Sequence, residues 1–329
     1  MRRARRCLLA CAWPLIGLGH APVWAQDKSE RVGSYPARPI RIIVPVAPGG
    51  GLDMTSRAVG QILTERWGQT VVVDNRPGGA TIIGIELGAK APADGYTLLA
   101  ATDTLYIIGA MKRVPFDVRT AFEPIVQLTA QPYLLIVNPS LPAKSIKELA
   151  AYSQKQPLSY GSSGVGTIAH LQLEQLASLT GAKFVHVPYK GGAPALLGVL
   201  SGEVHMYPGI IMSAIQPLKA GKVRALAAMS LKRVAMLPDL PTVAEQGLPG
   251  FKVVNSYNLY APAGTSRAIV TALHRVVSEG LNAPKMAQRL AAEGSLLDER
   301  LAPEPFKAYL AREYEEVERQ VKSLNIKLY

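Results

Sequence analysis

The sequence predicts an α/β protein of two lobes, each a mixed β-sheet flanked by helices. Three observations predict it. Runs of β-branched residues alternate with stretches of helical spacing, and small-residue loops join strand ends to helix starts. The 304 residues that follow an N-terminal leader of 25 are also ample for two lobes.

The first unit is the most telling. Ile40, Ile42, Ile43 and Val44 form a strand that stops at Pro45, and Pro48-Gly49-Gly50-Gly51 makes a loop. Asp53 then opens a helix with Met54, Ala58 and Ile62 on one stripe, which places Asp53 near the N-cap. Such a junction leaves backbone N–H groups unpaired at the positive end of a helix dipole, where an anion can sit. Residues 70–74 (TVVVD) are a second strand, 75–80 a second glycine turn, 82–90 a helix and 96–101 a third strand.

The alternation then recurs. A strand at 134–137, a helix at 145–155 and a strand at 158–161 lead into the small-residue loop 162–167 and a helix over 168–180. A strand at 184–187, a turn at 189–192 and a helix at 193–201 follow, with further strands at 204–207 and 223–229. The last part is helical: 266–281 is amphipathic, and 305–324 carries a charged face that reads as solvated surface.

The leader reads as a secretory signal. Arg2, Arg3, Arg5 and Arg6 are its basic region, and residues 7–18 are an apolar stretch of twelve, too short to span a bilayer. Val23-Trp24-Ala25 is a small-x-small cleavage site, and 26–35 is a polar mature N-terminus. Cys7 and Cys11 both lie inside the signal, so the mature chain has no disulfide, thiol nucleophile or cysteine-based metal site. The formal charge of +12 falls to +8 without the four leader arginines. That surplus reads as solvated surface, or as attraction for anionic solutes or an anionic membrane. Scattered basic residues and an aromatic content of 6% speak against nucleic acid as a partner.

Several chemistries are weakly encoded. Gly49-Gly50-Gly51 lacks the Gly-Lys-Ser/Thr ending of a P-loop, and Gly164-Val165-Gly166 does not complete a dinucleotide fingerprint. There is no Gly-x-Ser-x-Gly, and no motif places His170, His186, His205 or His274 as a base. No His pair at i, i+4 spacing offers a metal shell, so neither a metal nor a cofactor is expected. His186, within an apolar strand, reads as a hydrogen-bonded core histidine. What remains is a set of small-residue loops at Pro48–Asp53, Thr102–Thr104, Ser162–Thr167 and Lys190–Gly192, the places where ligands bind in open α/β sheets.

Across nearly the whole mature chain, from Tyr35 to about Ile326, the sequence resembles the tripartite tricarboxylate transporter substrate-binding proteins, the Bug family of exported receptors. The carriers include Tyr35-Pro36-x-Arg38-Pro39-Ile40-Arg41, Pro48-Gly49-Gly50-x-x-Asp53, Val72-Val73-Asp74-Asn75-Arg76-Pro77-Gly78 and Asp94-Gly95-Tyr96-Thr97-Leu98-Leu99. Further on they include His186-Val187-Pro188-Tyr189-Lys190-Gly191, Leu237-Pro238-Asp239-Leu240-Pro241-Thr242 and Ala261-Pro262-Ala263-Gly264-Thr265.

The resemblance implies a two-lobed periplasmic binding fold of the type II-like class, with lobe 1 over 36–131 and 257–329 and lobe 2 over 132–256. It implies a monomeric periplasmic receptor that closes on a small carboxylate and presents it to a membrane permease or sensor. On that basis Ala47, Pro48, Gly49, Gly50 and Asp53 form one jaw, and Ser162, Ser163, Gly164, Gly166 and Thr167 the other. Thr102, Asp103, Thr104, Lys190 and Gly209 border the cleft between them. Two family aspartates are replaced, by His205 and Gly209, which argues against a simple amino acid as ligand, whereas Asp103 adds a carboxylate where relatives carry a small residue. The alternative from the residues alone is an exported serine hydrolase using Ser162 or Ser163 with His170.

Overall fold

A computed structural model describes residues 32–292, 294–295 and 300–324; the expected signal and its cleavage site lie outside the described residues. The chain runs β1 (Ile40–Val44), α1 (Gly51–Trp67), β2 (Val71–Asn75), α2 (Ile82–Ala89), β3 (Thr97–Thr102), α3 (Thr104–Ala110) and β4 (Phe122–Val137). It continues through α4 (Ile146–Lys155), β5 (Leu158–Ser162), α5 (Ile168–Thr180), β6 (Phe184–Pro188), α6 (Gly192–Ser201), β7 (Met206–Ile210), α7 (Ile211–Lys219) and β8 (Arg224–Ala228). It closes with β9 (Val254–Pro262), α8 (Arg267–Asn282), α9 (Pro284–Ala292) and α10 (Pro303–Leu324).

The strand order β2-β1-β3-β9-β4-β7-β5-β6 repeats one pattern twice. In one half β1 lies between β2 and β3, parallel to both; in the other β5 lies between β6 and β7, again parallel to both. In each half the chain leaves the central strand to one side and then crosses back to the other. That reversal is a topological switch point, and it leaves a crevice at the carboxyl ends of β1 and of β5.

Two long antiparallel strands join the halves. β4 pairs with β9 from Phe122 to Pro132, and from about Tyr133 onward with β7 on one edge and β8 on the other. The expected strand at 134–137 is therefore only the end of a strand that begins at Phe122, and β9 was not anticipated at all. Pro124, Gln127, Gln131 and Pro132 break the apolar run of β4, as Asn255, Ser256 and Asn258 break that of β9. Pairing between the two strands, rather than apolar pattern, holds them extended. β7 also starts later than expected, at Met206, because His205 donates its N–H to the Ser159 carbonyl and holds its ring on Ser159.

Helices cover both faces of each half. α1 and α8 pack Leu52, Val59, Leu63, Leu273 and Val277 on one face of the β1 half, while α2, α3 and α10 cover the other. In the β5 half, α4 and α5 take one face and α6 and α7 the other. α10 crosses the divide: Phe306 and Leu310 belong to the core of the β1 half, while Val321 and Leu324 pack on that of the β5 half. The sequence pattern of two α/β units is thus realised as two three-layer sandwiches sharing a pair of strands.

Candidate ligand-binding site

The first of the two expected jaws is the β1–α1 loop. Ala47, Pro48, Gly49 and Gly50 are all exposed, and Gly49 is in the left-handed region at φ 88°, a conformation glycine adopts without steric cost. Gly50, not Asp53, is the N-cap of α1, and no side chain caps the helix start. Asp53 lies one turn in and faces back into the protein. Its carboxylate accepts from the Gly49 N–H at 2.9 Å, from Asn75 Nδ2 at 3.0 Å and from Arg57 Nε at 3.1 Å. Burial alone would raise its pKa; the Gly49, Arg57 and Asn75 bonds outweigh that and hold it below the usual carboxylate range. Asp53 therefore braces the loop, leaving the first amides of α1 uncommitted.

Two neighbours complete this side. A Cβ on Gly51 would lie 2.5 Å from the Tyr257 hydroxyl, so the missing side chain lets that tyrosine reach the helix start. Thr102 is the register partner of Tyr257, which brings the Thr102–Thr104 segment to the same place. Asp103, at the start of α3, accepts from the Ser256 N–H at 3.0 Å and from Asn258 Nδ2 at 3.3 Å, and so is tied to β9. Burial pushes its carboxyl up to about 7, against the lowering effect of the Ser256 hydrogen bond. Thr104 is buried, with its N–H on the Thr102 hydroxyl.

The second expected jaw is the β5–α5 loop, with Gly164 at φ 134° and Gly166 at φ 77°. Its hydroxyls are engaged internally. Ser162 is fully buried; its Oγ lies 2.6 Å from His186 Nε2 and accepts from the Gly164 N–H at 3.1 Å. Thr167 donates to the Gly164 carbonyl at 2.8 Å, and as N-cap of α5 it makes no side-chain bond to the helix. The Gly166 N–H bonds to His170 Nδ1, and His170 stacks on His186 with ring centres 4.0 Å apart. Ser163, Gly164 and Val165 are the partly exposed residues of the loop.

The hydrolase alternative finds no support in this geometry. Ser162 pairs with His186 rather than with His170, and Ser162 has no exposed surface for a substrate to meet. Burial, with His170 beside it, lowers His186 to about 4, so it is a poor base near neutral pH.

The end of α3, in the β1 half, touches the β5–α5 loop. Arg113, just beyond α3, donates from Nη1 to the Val165 carbonyl at 3.1 Å, and a Cβ on Gly166 would meet Met111 Sδ at 3.1 Å. The turn before α6 lies against the second jaw, since the Tyr189 N–H donates to the Ser162 carbonyl at 3.0 Å. Lys190 in that turn is exposed, and Gly209 is buried in β7. Sequence reasoning did not single out Tyr257, Tyr207 or Arg113; the glycines that face the two tyrosines, Gly51 and Gly192, were the available signal. A groove of about 420 Å³ along β1 and β2 lies apart from these loops, and its Arg41 and Arg76 both already pair with Asp74.

Residues 55–299 match the family described as "Tripartite tricarboxylate transporter family receptor". BugT of Bordetella pertussis is 34% identical over 267 residues, covering 80% of this chain and 82% of its own. Among solved structures, the Rhodopseudomonas palustris protein Rpa4515 with adipate superposes with a TM-score of 0.82 at 33% identity, over 89% of this chain and 99% of the other. MatC from the same organism, with bound malate, gives 0.77 at 28% identity, over 88% and 99%. The serial motifs, the twice-repeated switch point and these likenesses agree: the chain belongs to the tripartite tricarboxylate transporter family of receptors, the Bug solute-binding proteins.

Proposed function

We propose that this protein is a periplasmic receptor that captures a small organic carboxylate between the β1–α1 and β5–α5 loops and presents it to a membrane permease or sensor. One observation carries the reading: at each of the two switch points a helix begins with no side-chain cap, behind a loop of small residues braced from within. Uncommitted amides at a helix start hold a carboxylate without a costly buried ion pair. The relatives with adipate and with malate supply the ligand class. Ala47 to Gly50 form one jaw and Ser163 to Gly166 the other, with Asp53, Ser162 and Thr167 shaping the loops and Thr102 to Thr104 at their side.

We place the hinge where β4 exchanges β9 for β7 and β8 and where β9 begins, close to 131/132 and 256/257. Lobe 1 is then 36–131 with 257–329, and lobe 2 is 132–256. Export with cleavage near Ala25, a monomeric state and the absence of catalytic turnover belong to the same proposal. Closure of the lobes buries the ligand and creates the surface that a partner reads.

Isothermal titration against a carboxylate panel that includes adipate and malate, combined with solution scattering, tests the function. Saturable binding with a smaller radius of gyration is expected. Heat from no member of the panel, with no compaction, removes the reading.

A further inference from the structure

The residue at which α3 begins carries a carboxyl that does not do what its position suggests. Asp103 is the N-cap of α3, where an aspartate ordinarily accepts from the amides of the first turn, yet its side chain makes no bond to the helix. It turns instead to β9, accepting from the Ser256 N–H at 3.0 Å and from Asn258 Nδ2 at 3.3 Å. It forms no ion pair among the described residues, and it keeps some exposure.

The titratable groups that face Asp103 are neutral or of like charge. α3 presents Tyr106, β9 Tyr260, β4 Tyr133, and α10 both Tyr309 and Glu313. Burial moves all four phenols above the ordinary tyrosine range, so they are uncharged near neutral pH. Glu313 brings a like charge, which adds to burial in favouring a proton on Asp103.

An independent observation points to the same proton. Asn258 is fully buried, and its Oδ1 has no hydrogen-bond partner among the described residues. A buried carbonyl oxygen without a donor is costly and calls for an explanation. The amide nitrogen meets the Asp103 carboxyl at 3.3 Å, and a half-turn of the amide exchanges its two ends. A protonated Asp103 then donates to the oxygen that otherwise lacks a donor. This pair stands beside the cleft. Thr102, next to Asp103, is the register partner of Tyr257, whose hydroxyl reaches the α1 start. Tyr133 lies close enough to Asp103, Tyr207 and Tyr257 to interact electrostatically with each.

We infer that Asp103, with Asn258, is a proton-binding site of the cleft, so that capture of a carboxylate ligand above neutral pH takes up a proton from solvent. The proton adds to the Asp103 carboxylate and no other bond is made or broken. An anion brought beside a carboxylate disfavours its ionised form, and by linkage the proton strengthens anion binding to the same extent. This rests on the carboxylate reading above and adds to it the proton that accompanies the ligand.

The test is titration calorimetry with the tightest binder of the carboxylate panel, adipate and malate included, between pH 6.5 and pH 8.5. His170 and His186, both lowered by burial, stay neutral across that range. Wild-type affinity is expected to fall roughly tenfold as pH rises, the equivalent of one pKa unit of coupling. At pH 7.5, buffers of small and of large ionisation heat should give different binding heats, the difference reporting proton uptake. Asp103→Asn should remove both the slope and the buffer dependence, whatever its absolute affinity. Glu313→Gln, which takes away the like charge on α10, should move the midpoint of the wild-type slope to lower pH, and it reads the site even if Asp103→Asn fails to fold. Buffer-independent heats and a flat affinity in the wild type overturn the proton site and leave the carboxylate reading standing. So does a pH slope that persists in Asp103→Asn or keeps its midpoint in Glu313→Gln. Heat from no member of the panel at any pH overturns both.

Discussion

The loops at the two switch points are braced by opposite chemistry. The β1–α1 loop is exposed and braced by a charge: the Asp53 carboxylate ties together Gly49, Asn75 and Arg57. The β5–α5 loop is braced by neutral groups, with Ser162 on His186, Thr167 on Gly164, and Gly166 on a His170 that stacks against His186. An ionised carboxylate beside one jaw needs bonds to offset its burial, whereas imidazoles beside the other must remain uncharged. The comparison teaches that a helix start can be kept open for a ligand in either way, and that the two ways respond differently to mutation and to pH.

The largest effect is expected at the charged brace. Asp53→Ala releases the Gly49 N–H, Asn75 and Arg57 at once. It should cost roughly 1–3 kcal/mol of stability, in line with removal of a buried hydrogen-bonding partner. Carboxylate affinity should fall further, by more than tenfold on the same energy scale, because the first jaw loses its shape. Calorimetric titration beside thermal unfolding checks this. Equal losses in both would reduce Asp53 to a fold-stabilising residue without influence on the jaw.

The neutral brace is broken by acid instead. His186 is lowered to about 4 by burial and by His170, and His170 itself is lowered by burial. Groups depressed in the folded state contribute stability above their unfolded pKa, near 6.5, and that stability is lost as pH falls toward about 4. Acidification from pH 7 to pH 4.5 should therefore lower the melting temperature through the second jaw, by about 5 °C for a chain of this size. Asp53, held below the usual range, stays ionised throughout that window. His186→Phe preserves the stack on His170 and Tyr160 and should flatten the profile; an unchanged slope would assign the acid response to another part of the molecule.

Asp103 gives a smaller shift of opposite sign. Its carboxyl is pushed up to about 7 by burial, so its contribution is full below the unfolded pKa near 4 and is lost as pH rises toward 7. Asp103→Asn should gain stability relative to wild type as pH increases across that window, by about 2–4 °C. Parallel melting profiles for the two proteins would show that the carboxyl is more hydrated than its place between α3 and β9 implies.

The contrast between jaws also marks where sequence is informative. Both loops were legible because glycines and small residues interrupt strong local signals: an Ile/Val run before Pro48-Gly49-Gly50, and a helix of plain spacing after Ser162 to Thr167. β4 and β9 were not legible over most of their length. Gln127, Gln131, Asn255 and Asn258 look like loop residues until the partner strand is known, and strand pairing is a long-range property. Residue type puts Asp53 near the cap, yet the helix begins earlier and Gly50, three residues before it, takes that position. The sequence offers Ser162 as a jaw hydroxyl, and its burial follows from His186 arriving on the neighbouring β6, which no local pattern in the β5 segment encodes.

The smallest effect tests whether the jaws act together. Arg113 follows α3 in the β1 half, and its bond to the Val165 carbonyl reaches the β5–α5 loop at 3.1 Å. A single hydrogen bond from a half-buried guanidinium contributes only about 1 kcal/mol. If it forms on closure, removing it shifts the open–closed equilibrium by that amount without touching the ligand or either core. Arg113→Ala should then weaken carboxylate binding about threefold to fivefold, with an unchanged melting temperature for the ligand-free protein. In scattering, compaction should require proportionally more ligand and reach the same final radius. Identical titration and scattering curves for variant and wild type would mean that the bond is present in open and closed forms alike, in which case the charged brace and the neutral one respond to the ligand independently of each other.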